Sequence, residues 1–337
     1  MTLKAAALAS VAALAMMAGS ASAADLACLI TKNNTNPFFV KMKEGAEAAA
    51  AAAGLDFQAY AGEKDGDAAP QITAIENCVA AGAKGILITP SNDSVGPALK
   101  DARAAGILVI ALDTPLADAE AQDITFATDN FEAGLLIGKW AAATMGEGAA
   151  TAKIAMLDIN KDNISVDVAR DTGFLVGFGI EVPDLTVMGS ETDPRVIGHE
   201  TSDANPEGGL RAMETLLAKD PDINVVYTIN EPAAEGAFQA LKNAGKEGQA
   251  IIVSVDGGCP GIASVKSGVI GATSQQYPLK MAGLGIDAIA AFAKDGTKPV
   301  ASEGLSFFNT GVNLVTDKPA EGVPSIDSTK GTELCWG

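Results

Sequence analysis

The sequence predicts an α/β protein made of two similar lobes, each with a parallel β-sheet. Short apolar runs alternate with Ala-rich helical stretches from residue 25 onward, which is the pattern of parallel strands covered by helices. Several predicted helices are followed by a glycine, the usual helix stop, at Gly54, Gly82, Gly106 and Gly245. The 337 residues contain too many such units for one ordinary open sheet, and at about 150 residues per domain they suffice for two lobes.

The predicted strands are short apolar runs. They lie at Leu26–Thr31, Gly85–Thr89, Leu108–Leu112, Ile124–Ala127, Lys153–Asp158, Val225–Ile229, Ile251–Val255 and Val269–Ser274. The predicted helices lie at Pro37–Ala53, Ala68–Ala81, Asp93–Ala105, Asn130–Met145, Glu207–Ala218, Glu231–Asn243 and Pro278–Ala293. In such sheets ligands bind outside the carboxyl ends of the strands, so the polar residues after each strand are the candidate functional residues.

Composition and charge exclude several classes of function. The chain has 23 Lys and Arg against 42 Asp and Glu, a net charge of −19, which argues against nucleic acid or an anionic membrane as a partner. His199 is the single histidine, so sites with several histidines are excluded. Because His199 stands in a polar stretch, 198–203, we predict a solvated loop residue there. We predict no catalytic residue, no metal and no cofactor.

The start of the chain has the pattern of a secretory signal peptide. An apolar run, Ala5–Ala18, follows Lys4 and is followed by the small residues Ala21, Ser22 and Ala23. This run is short for a membrane span, and the small residues match a cleavage site. We therefore predict that residues 1–23 are removed during export to the periplasm; an anchor that stays attached is the alternative.

The four cysteines form an even set in an exported chain, where disulfides persist. Three pairings of Cys28, Cys78, Cys259 and Cys335 are possible, and the sequence alone does not choose among them. We favour a bond between Cys259 and Cys335, which would attach the tail 336–337 to the body. Cys28 and Cys78 then either pair or remain buried thiols.

The residues after the strands suggest a binding cleft more than an active site. Phe38 and Phe39 follow Asn36 at the start of a predicted helix, and an aromatic ring can cover the C–H face of a sugar. Asp, Asn, Gln and Arg side chains can form paired hydrogen bonds to vicinal hydroxyls. Asp113 and Asp256 could in principle form a hydrolytic pair, but nothing in the sequence around them is arranged for acid–base catalysis.

Several segments resemble the periplasmic sugar-binding proteins of the ribose-binding type (type I periplasmic binding proteins). They are the run from Thr31 to Ala46, Gly85–Pro90, Val109–Asp113, Thr128–Asn130, Arg170–Gly173, Asn230–Glu231, Val255–Gly257 and Gln276–Pro278. Members of this family are monomeric receptors of ABC importers that deliver sugar to a permease in the inner membrane. The resemblance implies two Rossmann-like lobes joined by three hinge crossovers, near 128–129, 276–277 and 305–308. The N-terminal lobe would comprise 24–128 and 277–305, and the C-terminal lobe 129–276 and 306–337.

The resemblance also implies a set of ligand-binding residues. They are Lys32, Asn36, Phe38, Phe39 and Asp113 in the first lobe, Arg170, Asn230 and Asp256 in the second, and Gln276 at a crossover. The chain departs from the ribose receptors at three places, where Thr114, Ala204 or Asn205, and Val255 replace an arginine and two aromatic residues. Fewer rings on the second lobe favour a sugar other than ribose, and the Cys-bearing tail looks most like that of fructose receptors.

The expected function is therefore a periplasmic monosaccharide receptor, with fructose as the favoured ligand. A receptor for ribose, allose, xylose or a polyol, and a sensor that presents sugar to a chemoreceptor, are the alternatives. An exported sugar-modifying enzyme is a third class, which would require a base, a nucleophile or a metal cluster.

Overall fold

The computed structural model describes residues 24–64 and 66–337. The predicted signal peptide, residues 1–23, lies outside the described residues. Within the described part of the chain, no helix combines the length and the apolar character that crossing a membrane requires.

The chain alternates between strands and helices along most of its length. The strands are β1 (Leu26–Thr31), β2 (Asp56–Ala61), β3 (Gly85–Ile88), β4 (Leu108–Leu112), β5 (Ile124–Ala127), β6 (Ile154–Asp158), β7 (Val196–Thr201), β8 (Val225–Thr228), β9 (Ile251–Asp256), β10 (Ala272–Gln275), β11 (Phe308–Asn309) and β12 (Asn313–Val315). The α-helices are α1 (Pro37–Ala53), α2 (Ala69–Ala80), α3 (Gly96–Ala104), α4 (Asn130–Met145), α5 (Ser165–Phe178), α6 (Pro206–Lys219), α7 (Glu231–Asn243), α8 (Cys259–Ser267), α9 (Pro278–Asp295) and α10 (Ser328–Leu334).

The strands form two sheets of six strands with equivalent orders. The first sheet runs β2-β1-β3-β4-β5-β11, and the second runs β7-β6-β8-β9-β10-β12. All neighbours pair in parallel except β12, which is antiparallel to β10. The predicted fold class is confirmed: the protein consists of two α/β lobes, each with a mostly parallel sheet.

Each sheet has a hydrophobic core on both faces. In the first lobe, α1 and α9 cover one face, and α2 and α3 cover the other. In the second lobe, α4 and α5 cover one face, while α6 and α7 cover the other. Helices α4 and α5 approach closely at Gly134, which has no side chain. A β-carbon at that position would lie only 2.1 Å from the carbonyl oxygen of Arg170. That approach fixes the position of Arg170 in the second lobe.

The third passage between the lobes lies later than the sequence indicated. Strand β11 pairs with β5, and the ring of Phe308 lies 4.8 Å from that of Phe126. These contacts place Phe308 and Asn309 in the first sheet, whereas the predicted boundary assigned residues from 306 onward to the second lobe. The short strand was not recognised because two residues carry no periodicity.

Strands β2 and β7 were missed because they are edge strands with partly exposed, mixed sequences. The interpretation of His199 as a solvated loop residue is wrong. His199 lies in β7, and its ring contacts buried carboxylates. The polar letters around it indicated a loop because an edge strand does not need an apolar run.

The structure contains two disulfide bonds. One joins Cys28 in β1 to Cys78 in α2, and the other joins Cys259 at the start of α8 to Cys335 in the tail. The Cα atoms lie 6.4 Å apart in the first bond and 5.0 Å apart in the second. The second bond holds the last residues of the chain against the second lobe.

Candidate functional site

A cleft of about 780 Å³ lies between the two lobes. Its walls come from the carboxyl ends of strands in both sheets and from the helix starts that follow them. The lining residues are largely polar and include Asn33, Asn36, Lys64, Asn160, Asp203, Asn205, Glu231, Asp256 and Trp336. A mixed polar and aromatic cleft at this position is where such folds bind small ligands.

An aspartate stands at the equivalent strand end of each lobe. Asp113 follows β4 and Asp256 ends β9, and both are buried. Both have positive φ angles, 64° for Asp113 and 141° for Asp256. A left-handed backbone at a residue other than glycine costs about 1–3 kcal/mol and is concentrated at functional sites. The two strained aspartates therefore make this edge of each sheet the candidate functional edge.

The carboxylate of Asp256 is held by neighbouring side chains. Gln276 Nε2 donates a hydrogen bond of 2.8 Å to Oδ1, and Arg170 Nη1 lies 3.8 Å from the same oxygen. Burial is the main effect on Asp256 and, together with the charge of Asp113, raises its pKa to about 6, while Arg170 and Gln276 oppose that rise. The charge of Asp113 in the first lobe thus acts on the carboxyl of Asp256 in the second.

Arg170 is fixed before any ligand arrives. Its Nε donates a 2.8 Å hydrogen bond to Asn130 Oδ1, and its Nη1 donates a 3.0 Å hydrogen bond to the carbonyl of Ile229. Among the described residues, Nη2 has no acceptor. A guanidinium that is positioned on one side and open on the other suits recognition of a polar ligand.

Glu231 supports the turn that follows Asp256. Its carboxylate accepts hydrogen bonds from the Gly257 and Gly258 amides at 2.8 and 3.0 Å and from the Thr273 hydroxyl at 2.8 Å. Burial, with the nearby charge of Asp256, raises the pKa of Glu231 to about 8 against these donors. Glu231 was not among the predicted binding residues, although the pair 230–231 is one of the segments that carry the resemblance to sugar-binding proteins.

Asn230 is engaged in the framework of the second lobe. Its Oδ1 accepts a 3.1 Å hydrogen bond from the Ala233 amide and caps α7, while its Nδ2 donates to the Ala204 carbonyl at 3.0 Å. Asn36 has the equivalent role in α1, since its Oδ1 accepts from the Phe38 amide at 3.0 Å. Asn36 nevertheless lines the cleft.

The two predicted aromatic residues are mostly buried. Phe38 and Phe39 are each 5% exposed and belong to the core of the first lobe. The ring of Phe38 contacts the ring of Trp336 edge to face, with centroids 5.4 Å apart. Lys32 is also buried, and its backbone amide donates to Thr89 Oγ1 at 3.0 Å.

Trp336 lines the cleft and was missed as a site residue. Its indole Nε1 donates a 2.7 Å hydrogen bond to the Gln276 carbonyl, and its own carbonyl accepts one of 2.8 Å from the Cys259 amide. The adjacent Cys335 is bonded to Cys259. The predicted disulfide could have indicated that Trp336 lies near the cleft, because Cys259 follows Asp256 closely in the sequence.

The positions at which the chain departs from the ribose receptors lie in different surroundings. Val255 is fully buried in the core of the second lobe, and Ala204 lines the cleft without a ring. Thr114 donates a 2.9 Å hydrogen bond to Asp113 Oδ2. The ring in this part of the cleft comes from Trp336, which the expectation of few rings on the second lobe did not include.

The structure thus brings together Arg170, Asp256 and Gln276 in one contiguous network, with Asp113 near Asp256. Asn36 and Trp336 complete the cleft wall that this network adjoins. Phe38 lies behind Trp336, while Asn230 holds the framework. Such an arrangement can accept and donate several hydrogen bonds to a small polyhydroxylated ligand beside an aromatic surface.

Comparisons with known proteins agree with this description. Residues 27–298 match the model of the periplasmic binding protein domain. The ribose import binding protein of Haemophilus influenzae is 31% identical over 271 residues, covering 80% of this chain and 86% of that protein. The D-allose-binding periplasmic protein of Escherichia coli is 27% identical over 290 residues, covering 83% and 88%.

Solved structures show the same fold. A solute-binding protein of an ABC transporter from Agrobacterium vitis, with bound D-fucose, superposes with a TM-score of 0.75 at 24% identity. The match covers 92% of this chain and all of that one, 100%. A solute-binding protein from Actinobacillus succinogenes, with bound D-allose, gives a TM-score of 0.73 at 22% identity and covers 92% and 99%.

Proposed function

The chain belongs to the periplasmic binding protein family, and we propose that it is a receptor that captures a monosaccharide in the periplasm. The sugar, for which we favour fructose, would then be delivered to the permease of an ABC transporter. The observation that carries this proposal is the buried network of Arg170, Asp256 and Gln276, which reaches the cleft between the lobes through Asp256, where Trp336 also lines the wall.

The chemistry of the network fits a sugar. Asp256 offers free acceptor positions on a carboxylate that Gln276 already orients, and Arg170 offers donors from a fixed guanidinium. Trp336 is fixed through its indole nitrogen, so its ring can contact a sugar without first losing conformational freedom. Relatives named for ribose and allose support a sugar as the ligand class.

Hinge closure would couple binding to transport. The cleft has walls from both lobes, and its volume of about 780 Å³ leaves room for the lobes to approach. A sugar that contacts both walls only in the closed form stabilises that form by its difference in affinity. The permease would then recognise the closed receptor.

The preference for fructose over ribose is the finer part of the proposal. It rests on Thr114, Ala204 and Val255, which stand where the resemblance to ribose receptors implies an arginine and two aromatic residues. With Trp336 supplying a ring from the tail, the sugar would meet an aromatic surface from a different direction. We therefore expect the ketohexose to bind more tightly than the aldopentose.

A ligand screen tests the proposal directly. The protein is heated with fructose, ribose, allose, galactose, xylose and common polyols while unfolding is followed. A ligand at about 100 times its dissociation constant stabilises by roughly 2.7 kcal/mol, so a binder gives a clear rise in Tm. Calorimetry then ranks the hits, and we expect fructose first.

Recovery of the ligand separates a receptor from an enzyme. After incubation, the sugar is released by denaturation and identified, and a receptor returns it unchanged. No stabilisation by any sugar of the panel would contradict the sugar receptor, and tighter binding of ribose would contradict the preference for fructose.

A further inference from the structure

A buried cluster of acidic side chains surrounds the ring of His199 in the second lobe. Nδ1 of His199 lies 2.9 Å from Asp158 Oδ2 and 3.4 Å from Asp171 Oδ2. On the other side of the ring, Nε2 lies 2.9 Å from Glu191 Oε1. Asp167, one helical turn before Asp171 on α5, adds a fourth carboxyl.

This cluster contains four carboxyl groups and one imidazole. A protonated His199 offsets one carboxylate, and it can hydrogen-bond to Asp158 and Glu191 at the same time. Asp167 accepts a hydrogen bond from the Ile159 amide at 2.7 Å. Asp171 is the carboxyl in this cluster that takes part in none of these hydrogen bonds.

Asp171 is fully buried, at 0% exposure, and neither of its carboxylate oxygens accepts a hydrogen bond within the described structure. Oδ1 of Asp158 and the hydroxyl of Tyr227 likewise have no hydrogen-bond partner there. The Tyr227 hydroxyl lies near the charges of Asp158, Asp167 and Asp171. Since buried polar groups without partners are costly and rare, the cluster is built for an occupant that carries positive charge.

We propose that Asp158, Asp171 and His199 bind a divalent transition-metal cation, for which Zn²⁺ is the best match. One donor atom from each residue lies within 4.8 Å of the others. In a tetrahedral site with bonds of about 2.1 Å, ligand atoms stand roughly 3.4 Å apart. The separations of 2.9 and 3.4 Å from His199 Nδ1 to the two carboxylates are close to that value.

The donor set selects the class of cation. Ca²⁺ and Mg²⁺ prefer oxygen ligands alone, whereas an imidazole with two carboxylates suits Zn²⁺ and its neighbours. Glu191 completes the arrangement because it can accept the Nε2 proton of His199 and leave the Nδ1 lone pair for the metal. A carboxylate in that position commonly orients a metal-binding histidine.

The cluster adjoins residues of the cleft and of its supporting network along the chain. Asp158 precedes Ile159, which lines the cleft, and Asp171 follows Arg170. A bound cation would connect β6, α5 and β7 and so fix the support of Arg170. The His199 side chain is 21% exposed and provides a path from solvent.

The test is a metal titration of the tag-free, chelator-treated protein at pH 8 without sugar. We expect one Zn²⁺ per chain by calorimetry, with Ca²⁺ and Mg²⁺ binding at least tenfold more weakly. Asp171→Asn and His199→Gln should each weaken Zn²⁺ binding at least tenfold. Asp222→Asn is the matched control, because Asp222 is 73% exposed and pairs with Lys153 outside the cluster.

The imidazole provides a second measurement on the unaltered protein. His199 is the only histidine, and all four cysteines are in disulfides, so its ¹⁵N spectrum reports this site alone. We expect Zn²⁺ to displace the Nδ1 proton and leave the Nε2 proton in place. An imidazole that stays doubly protonated with excess Zn²⁺, tighter binding of Ca²⁺, or unchanged Zn²⁺ affinity in both variants would overturn the proposal. None of these outcomes depends on whether the protein binds sugar.

Discussion

The two lobes share one strand order, but the helix that follows the first strand buries different kinds of side chain in each lobe. In the first lobe, α1 buries Phe38, Phe39 and Met42 against the sheet. In the second lobe, α5 buries Arg170 and Asp171 at the equivalent place. The same framework thus packs apolar side chains into the core of one lobe and holds charged side chains at the equivalent place in the other.

This difference has a physical consequence. An apolar surface is stabilised by its own burial, whereas buried charges require partners with good geometry. In the second lobe Arg170 and Gln276 are such partners for Asp256. The second lobe should therefore respond more strongly to changes of charge and of pH, and the first lobe to loss of packing.

Removal of Arg170 should have the largest effect. Arg170→Ala leaves the Asp256 carboxylate buried without its cation and removes the bonds to Asn130 and Ile229. Breaking a buried pair costs about 3–5 kcal/mol, so urea denaturation should show a loss of that size, and sugar binding should fall more than 100-fold.

The control for Arg170→Ala comes from the first lobe. Lys41 forms an exposed pair with Glu44, and Lys41→Ala should change neither the free energy of unfolding nor the sugar affinity by a measurable amount. Retained sugar binding in Arg170→Ala would show that the charged side of the cleft is not the recognition surface.

Removing each disulfide in turn should separate effects on the stability of the fold from effects on sugar binding. We expect Cys28→Ala with Cys78→Ala to lower the free energy of unfolding by about 2–5 kcal/mol and leave the sugar affinity unchanged. Cys259→Ala with Cys335→Ala releases the tail that holds Trp336 in the cleft, so the affinity should fall about two- to tenfold, since an aromatic contact contributes roughly 0.5–1.5 kcal/mol.

Each double variant is the control for the other, because both remove one bond and add no charge. Calorimetry with the sugar and urea denaturation are done on both. Equal loss of affinity in the two variants would mean that the disulfide of the tail has no specific connection with the cleft.

The pH dependence of sugar binding should originate in the second lobe. In the proposed site, sugar hydroxyls would donate to the Asp256 carboxylate, so binding should favour the ionised form and lower its pKa from about 6. Affinity should therefore fall as the pH drops below 6, by about tenfold between pH 7 and pH 5. Calorimetry across this range measures it.

The variant Asp256→Asn tests the origin of that effect. It should bind more weakly at pH 7 and should lose the dependence between pH 5 and pH 7, because an amide does not titrate there. Asp113→Asn is the counterpart in the first lobe and should keep the dependence. A pH profile that Asp256→Asn leaves intact would exclude Asp256 as its source.

In the ligand-free protein, the raised pKa of Asp256 makes the stability of the fold change with pH in the opposite direction to the sugar affinity. A carboxyl with a raised pKa in the fold stabilises the protein below its ordinary pKa, and that contribution is lost as the pH rises through the raised value. Asp256 thus makes the fold less stable, and the receptor more able to bind, as the pH rises from about 4 to about 6.

Regular elements could be predicted from the sequence where the local pattern decides them. Helices α1, α4 and α7 begin and end at the predicted residues, because an Asn or Asp cap precedes each one. Strand β4 likewise matches, since its five apolar residues are buried on both faces. Edge strand β7 could not be predicted because its residues are partly exposed and mixed in character.

The site was predicted only in part. Arg170, Asp256 and Gln276 were named from the resemblance, and the structure brings them into contact. Trp336 was missed because its place in the cleft depends on a disulfide to Cys259 and a hydrogen bond to Gln276, both far away in the chain. The contacts of His199 were missed for the same reason.

The sequence by itself determined the alternation of strands and helices, the two-lobed α/β fold and the strand-end aspartates. These follow from local patterns of apolar residues, glycines and caps, which act over a few residues. Only the tertiary structure decided that Trp336 joins the cleft, that Glu231 holds the turn after Asp256, and that three carboxyls converge on one histidine. These features depend on burial and on contacts between distant segments, and such contacts exist only once the sheets have formed.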